Sequence, residues 1–267
     1  MGPGDESPQQ KEDTMDLIAL MLILVSLTAG FGVSADNAPV VAPQQVTFHP
    51  RGDNDITLEG VFTCPVAPPE RAPAVVICHP HPLYGGTMNN AVVRALEEAF
   101  AAEGYATLRF SFRGVGHSTG KYDGNGAEAQ DVLGALDFLL ARPEVNLQRV
   151  AVAGYSFGAW TGLQAVAKDQ EHLRFFVGVG FPIAPNTVDF ASAGFVRDVK
   201  LPMLFVSGSE DTISSAPDIT RLLALLGRTK QAQVVTIDGT DHFWGAAASV
   251  AALKRTVSEF VKPLTKE

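Results

Sequence analysis

Cysteine is scarce in this sequence. Cys64 and Cys78 are the only two among 267 residues, too few for a disulfide framework or a cysteine-built zinc site. Each closes a predicted strand. If those strands run antiparallel, the thiols lie at opposite ends of a sheet, so both are expected to be free. Charge is sparse as well: Asp, Glu, Lys and Arg make up 18% of the chain, and the formal net charge is −9. This balance argues against nucleic acid and against anionic membrane surfaces as partners. Internal repeats and low-complexity tracts are missing, and the length suits one large domain with a sizeable core.

The first 45 residues read apart from the rest. Residues 1–16 are polar and acidic, with Asp5, Glu6, Glu12, Asp13 and Asp16 against Lys11 alone. Leu17 to Val33 is then an unbroken run without charge, and Val33-Ser34-Ala35 has the small-residue spacing of a signal-peptidase site. The leading segment should be basic and is acidic, even when Met15 is taken as the start. The run is also at the short end of a bilayer-spanning helix. Export or an N-terminal membrane anchor is the expectation, with a cytoplasmic protein as the alternative. Asp36 to Gln45, with Pro39 and Pro43, reads as a linker into a domain spanning residues 46–267.

From Val46 onward strands alternate with helices. Val46 to His49 and Ile56 to Phe62 flank Arg51-Gly-Asp-Asn54 as an opening hairpin. Ala74 to Cys78 is fully apolar, as in a central strand buried on both faces. Further strands are expected at 106–112, 149–153, 175–180, 203–207 and 233–237, and helices at 90–103, 128–141, 160–167, 218–226 and 250–261. Parallel strands need crossover connections, so this order predicts an α/β fold: a mainly parallel sheet with helices on both faces. Ligands bind such sheets at the carboxyl ends of the strands.

Gly154-Tyr-Ser-Phe-Gly158 lies between a strand and a helix, the context in which G-x-S-x-G lifts a serine hydroxyl clear of the sheet. A serine needs an adjacent base, and the base needs an orienting carboxylate. Of six histidines, only His172 and His242 follow Ser156 in the chain. His172 falls in a polar stretch at the amino-terminal side of the sheet, where it should be solvated. His242 follows the last strand on a carboxyl-end loop and is the expected base. Asp211, at the end of the preceding strand, is the expected acid. Its neighbour Glu210 should point the other way in a tight turn, while Asp238 and Asp241 read as turn formers.

Oxyanion donors are also required. The Phe157 N–H, at the helix start, is one. The second should come from the loop His79-Pro-His-Pro-Leu-Tyr-Gly-Gly86, in which Pro80 and Pro82 have no N–H. The His81 backbone is preferred, Leu83 is second, and the Tyr84 hydroxyl is a third candidate. Tyr84, Phe181 and Trp244 are expected to touch substrate. The His-x-His spacing invites a metal, but no Asp, Glu or Cys in that loop completes a ligand set. Phe110-Ser-Phe-Arg-Gly-Val-Gly-His-Ser118 carries a glycine-rich turn without the P-loop lysine. It reads as structural, with Arg113 bracing loops against Glu128 or Asp131. No metal and no cofactor is expected.

Together, His79-Pro-His-Pro-Leu-Tyr-Gly-Gly-Thr-Met-Asn-Asn90, Leu108 to Gly116, Gly154 to Trp160 and Asp241-His-Phe243 resemble the α/β-hydrolase superfamily. The resemblance is to a small bacterial-type branch of esterase-like enzymes related to dienelactone hydrolases and serine peptidases. It covers the chain from about Val46 and implies an eight-stranded sheet with Ser156, Asp211 and His242 as triad. Trp244 departs from that branch, whose members tend to carry a polar residue there. Little chain is available for a lid beyond Phe181 to Lys200. The expected activity is therefore an open-site serine carboxylesterase acting on small-molecule, short-chain esters. Amide, peptide or thioester hydrolysis by the same triad is the alternative within enzymes, and a non-catalytic binding protein retaining the fold is the alternative outside them.

Overall fold

The stretch Ala-Pro-Ala-Val-Val-Ile-Cys has no charged side chain, and in the computed structural model of this protein it forms β3 (Ala72–Cys78), buried except at Pro73. Residues 42–65, 71–183 and 190–265 are described. The expected apolar segment, Leu17 to Val33, lies outside them. Among the described residues no helix is long and apolar enough to cross a membrane.

A strand buried on both faces needs two covering layers. The elements that supply them follow in order: β1 (Gln44–Phe48), β2 (Leu58–Thr63), β3, α1 (Ala91–Ala102), β4 (Ala106–Phe110), α2 (Glu128–Leu140), β5 (Val145–Tyr155), α3 (Phe157–Lys168), β6 (Leu173–Val179), β7 (Met203–Gly208), α4 (Ala216–Leu225), β8 (Ala232–Ile237) and α5 (Ala247–Val261). Val75 and Ile77 pack with α1 and α5 on one face. Ala74, Val76 and Cys78 pack with α2, α3 and α4 on the other. Phe100, Phe175, Phe176 and Phe205 are fully buried or nearly so, each contributing roughly 1.5–3 kcal/mol relative to exposure. Surface ion pairs contribute about 0–1 kcal/mol each, so the aromatic interior dominates.

The strand order is β1-β2-β4-β3-β5-β6-β7-β8. The opening hairpin is antiparallel, β2 joins β4 antiparallel, and every pairing from β4 to β8 is parallel. This is the α/β-hydrolase fold, and no lid stands over the sheet among the described residues. Two boundaries differ from the sequence reading for identifiable reasons. β4 ends at Phe110 rather than Phe112: the Ser111 N–H still bonds Glu59 O, its register partner in β2, but the Phe112 N–H leaves the sheet for the His79 ring. α3 starts at Phe157, three residues before the helical period becomes legible at Trp160. Cys64 and Cys78 are free and buried.

Candidate active site

Because β3 to β8 all run the same way, the loops that leave their carboxyl ends gather on one edge of the sheet. Ser156 follows β5 there with φ 53° and ψ −120°, a region that costs a non-glycine residue about 1–3 kcal/mol. The turn is held by the Ser156 N–H, which donates to Val179 O at 2.8 Å. Its two glycines are steric necessities. A Cβ on Gly154 would lie 2.3 Å from Gly158 O, and one on Gly158 would lie 2.3 Å from Cys78 O.

The strained turn presents Ser156 Oγ 2.9 Å from His242 Nε2. His242 Nδ1 lies 2.8 Å from Asp211 Oδ2, and Asp211 Oδ1 accepts the Ile213 and Ser214 N–H groups at 2.9 and 2.8 Å. A carboxylate that only accepts fixes the imidazole proton on Nδ1, leaving the Nε2 lone pair toward the serine hydroxyl. Both Asp211 and His242 are buried. The other acids take different positions. Glu210 is exposed. Asp241 Oδ1 accepts the Phe243 and Trp244 N–H groups, and Asp238 accepts from Ser209. His172 sits at the amino end of β6, away from this edge, and is half-buried rather than solvated.

At the start of α3 the Phe157 N–H carries the positive end of the helix dipole and has no intrahelical partner. In the loop after β3 the donors are largely committed. Leu83 N–H donates to His81 Nδ1 at 3.2 Å, the Tyr84 and Gly86 N–H groups to His81 O, and the Gly85 N–H to Pro82 O. Leu83 is therefore withdrawn as a donor, because the neighbouring imidazole captures its N–H. The His81 N–H makes no hydrogen bond among the described residues.

Residues 56–198 match the X-Pro dipeptidyl-peptidase family, S15. The chain belongs to this family of α/β hydrolases. The hydrolase is 35% identical over 190 residues to the uncharacterized protein RP471 of Rickettsia prowazekii, a match covering 70% of this chain and 77% of the relative. Among solved structures it is similar to a putative α/β hydrolase, ATU1826, from Agrobacterium tumefaciens, with TM-score 0.70 and 32% identity over 84% of this chain and 98% of that one. It is also similar to an α/β serine hydrolase homologue from Coxiella burnetii, with TM-score 0.69 and 27% identity over 82% and 97% of the two chains.

Beside Ser156 the hydrolase has an aromatic-walled cavity of about 780 Å³. His81 packs at a tilt among Tyr84, Tyr122 and Phe157 at ring separations of 4.8, 5.0 and 4.9 Å. Tyr122 Oη lies 3.2 Å from His81 Nε2. Burial lowers the His81 pKa, favouring the uncharged ring, whose Nδ1 accepts the Leu83 N–H and whose Nε2–H donates to Tyr122 Oη. Trp160, Pro182 and Ile213 form another part of the wall. Tyr84 and Phe243, 87% and 75% exposed, stand at the rim.

Two expected contacts are corrected. Phe181 is fully buried beneath the wall, against Trp160 at 5.4 Å and Phe205 at 5.2 Å, and does not line the cavity. Trp244 is buried in the α1–α5 layer. Its backbone adopts φ 57°, and that left-handed turn sends Phe243, not Trp244, to the pocket.

The sequence reading missed Tyr122, Trp160 and Ile213. Trp160 had a usable signal: it lies four residues after Ser156, one helical turn along the same face. Tyr122 had a weaker one, as an aromatic inside a glycine-rich loop leaving the carboxyl edge. Both nitrogens of His79 and of His81 are engaged within the protein, and among the described residues no cluster of three or more His, Cys, Asp or Glu could hold a metal ion. Arg113 grips Asp131 through Nε at 2.9 and 3.1 Å and Nη2 at 2.5 Å. Glu128 instead accepts the Asp123 N–H.

Proposed function

We propose that this protein is a serine carboxylesterase for small esters with short acyl chains. The observation that carries the reading is the continuous relay from Ser156 Oγ through His242 to Asp211, at 2.9 and 2.8 Å, opening on an apolar cavity. Ser156 attacks the ester carbonyl while His242 Nε2 takes its proton. Asp211 holds the ring and offsets the charge that develops on it. The negative oxygen of the tetrahedral intermediate faces the Phe157 and His81 N–H groups. His242 then protonates the departing alcohol, and water hydrolyses the acyl-enzyme by the same steps.

Exposed rims and an edge with no lid among the described residues support small, freely diffusing substrates, and the apolar wall at Trp160 and Ile213 supports a short acyl group. The S15 match favours a second reading, cleavage of an amide bond in a peptide by the same three residues. Parallel assays on p-nitrophenyl esters, thioesters and X-Pro peptide amides separate the two. Ester turnover that declines from acetate to octanoate is the expected result. Fluorophosphonate should label the wild type and not Ser156→Ala. A wild type that takes no label would point instead to a binding protein that has kept the fold.

A further inference from the structure

His79 is fully buried, outside the Ser156–His242–Asp211 relay, and both of its nitrogens are committed. Nε2 lies 3.1 Å from the Phe112 N–H. A backbone N–H can only donate, so the ring proton must sit on Nδ1. Nδ1 then donates to Pro80 O at 2.6 Å. The ring also meets Phe112 edge-on at 4.8 Å. Burial drives its pKa down to about 4, which keeps this one-proton arrangement intact near neutrality.

The consequence falls on the next peptide. No cis peptide bond is present among the described residues, and in a trans peptide the carbonyl and the following N–H point in opposite directions. Holding Pro80 O toward the His79 ring therefore turns the His81 N–H the other way. Close packing fixes this peptide and the one before it. A Cβ on Gly86 would lie 2.0 Å from Pro80 O, and one on Gly158 would lie 2.5 Å from His79 O. The loop backbone is thus seated on the first turn of α3, which supplies the Phe157 N–H. Rotating the peptide would leave the buried Nδ1–H without a partner.

We propose that His79 is a positioning residue, which locks the Pro80–His81 peptide from its anchor on Phe112 so that the His81 N–H faces the reacting carbonyl oxygen. This rests on the serine-hydrolase reading above. The test compares phenyl acetate with phenyl thionoacetate, whose sulfur accepts hydrogen bonds poorly, in wild type, His79→Leu, His79→Gln and Gly86→Ala. His79→Leu should lower kcat on the oxygen ester about 10²-fold, the scale of losing one oxyanion donor, with KM within about twofold. The ester-to-thionoester rate ratio should fall with it. His79→Gln, which keeps a donor and an acceptor, should recover part of both. Gly86→Ala displaces the same peptide without touching the ring and should reproduce the fall. An unchanged ratio in these variants, whatever the loss in rate, overturns the inference, because a merely structural role slows both substrates alike. Nitrogen-15 spectra of the wild type give a further check, since a proton found on Nε2 of His79 also overturns it. A wild type that refuses fluorophosphonate overturns the catalytic reading itself.

Discussion

The Tyr155 hydroxyl donates to the backbone carbonyl of His242 at 2.5 Å. One residue before Ser156, the end of β5 therefore holds the loop that carries the proposed base. Burial, with the nearby Asp211 charge, raises the phenol pKa well above its usual value, so the donor keeps its proton. Tyr155→Phe removes that donor and leaves a buried carbonyl unpaired, at about 1–3 kcal/mol. Thermal unfolding should show that loss, and kcat on p-nitrophenyl acetate should fall several-fold. Wild-type kcat in the variant would show that the loop needs no such tether.

Trp160 separates the cavity from Phe181 and Phe195, at ring distances of 5.4 and 5.0 Å. Trp160→Ala should enlarge the acyl space. The butyrate-to-octanoate rate ratio should shift about tenfold or more toward octanoate, in keeping with about 1–3 kcal/mol per methylene accommodated. A parallel fall on every ester would place the acyl chain elsewhere.

The Arg113–Asp131 pair has side chains 9% and 0% exposed. Burial raises the Asp131 pKa against the opposing pull of Arg113, so the charged pair depends on both partners. Removing one leaves an unpaired buried charge, and Arg113→Met should destabilise the fold by about 3–5 kcal/mol. The double variant Arg113→Met/Asp131→Leu should lose less. Urea unfolding of the three proteins measures this, and a double variant as weak as the single one would contradict it.

His79 also gives stability a pH signature. Burial lowers its pKa from 6.5 to about 4 in the folded protein. Between those values the unfolded chain binds the additional proton. Its contribution is present in full above pH 6.5 and is lost as pH falls toward 4, by roughly 3 kcal/mol. The stability gap between wild type and His79→Leu should narrow by that order from pH 7 to pH 4. Urea unfolding across the range gives the comparison, and parallel curves would refute it.

The strands were legible because central parallel strands are continuous apolar runs, as in Val75 to Cys78. The serine turn was legible because its five residues are contiguous between a strand and a helix, although Gly158 is imposed by the distant Cys78 carbonyl. Asp211 and His242 could be selected from chain order and strand ends alone. The cavity walls could not, because they depend on side-chain direction across distant loops. Trp244, expected at the substrate, is buried, and Phe243 stands at the rim beside a left-handed residue. Leu83 loses its donor to a ring two positions earlier, an event that no spacing rule announces.

β2 and β3 run in opposite senses on either side of β4. Cys64 follows Thr63, which lies level with Val75, whereas Cys78 ends its strand. Four residues along the strand axis, about 13 Å, and an intervening strand put the sulfurs far beyond the ~7 Å Cα separation a bridge tolerates. Oxidant and reductant should thus be equally harmless to the finished molecule: dithiothreitol would leave its melting temperature where it was, and this domain could mature on either side of a cell boundary without a change of covalent form.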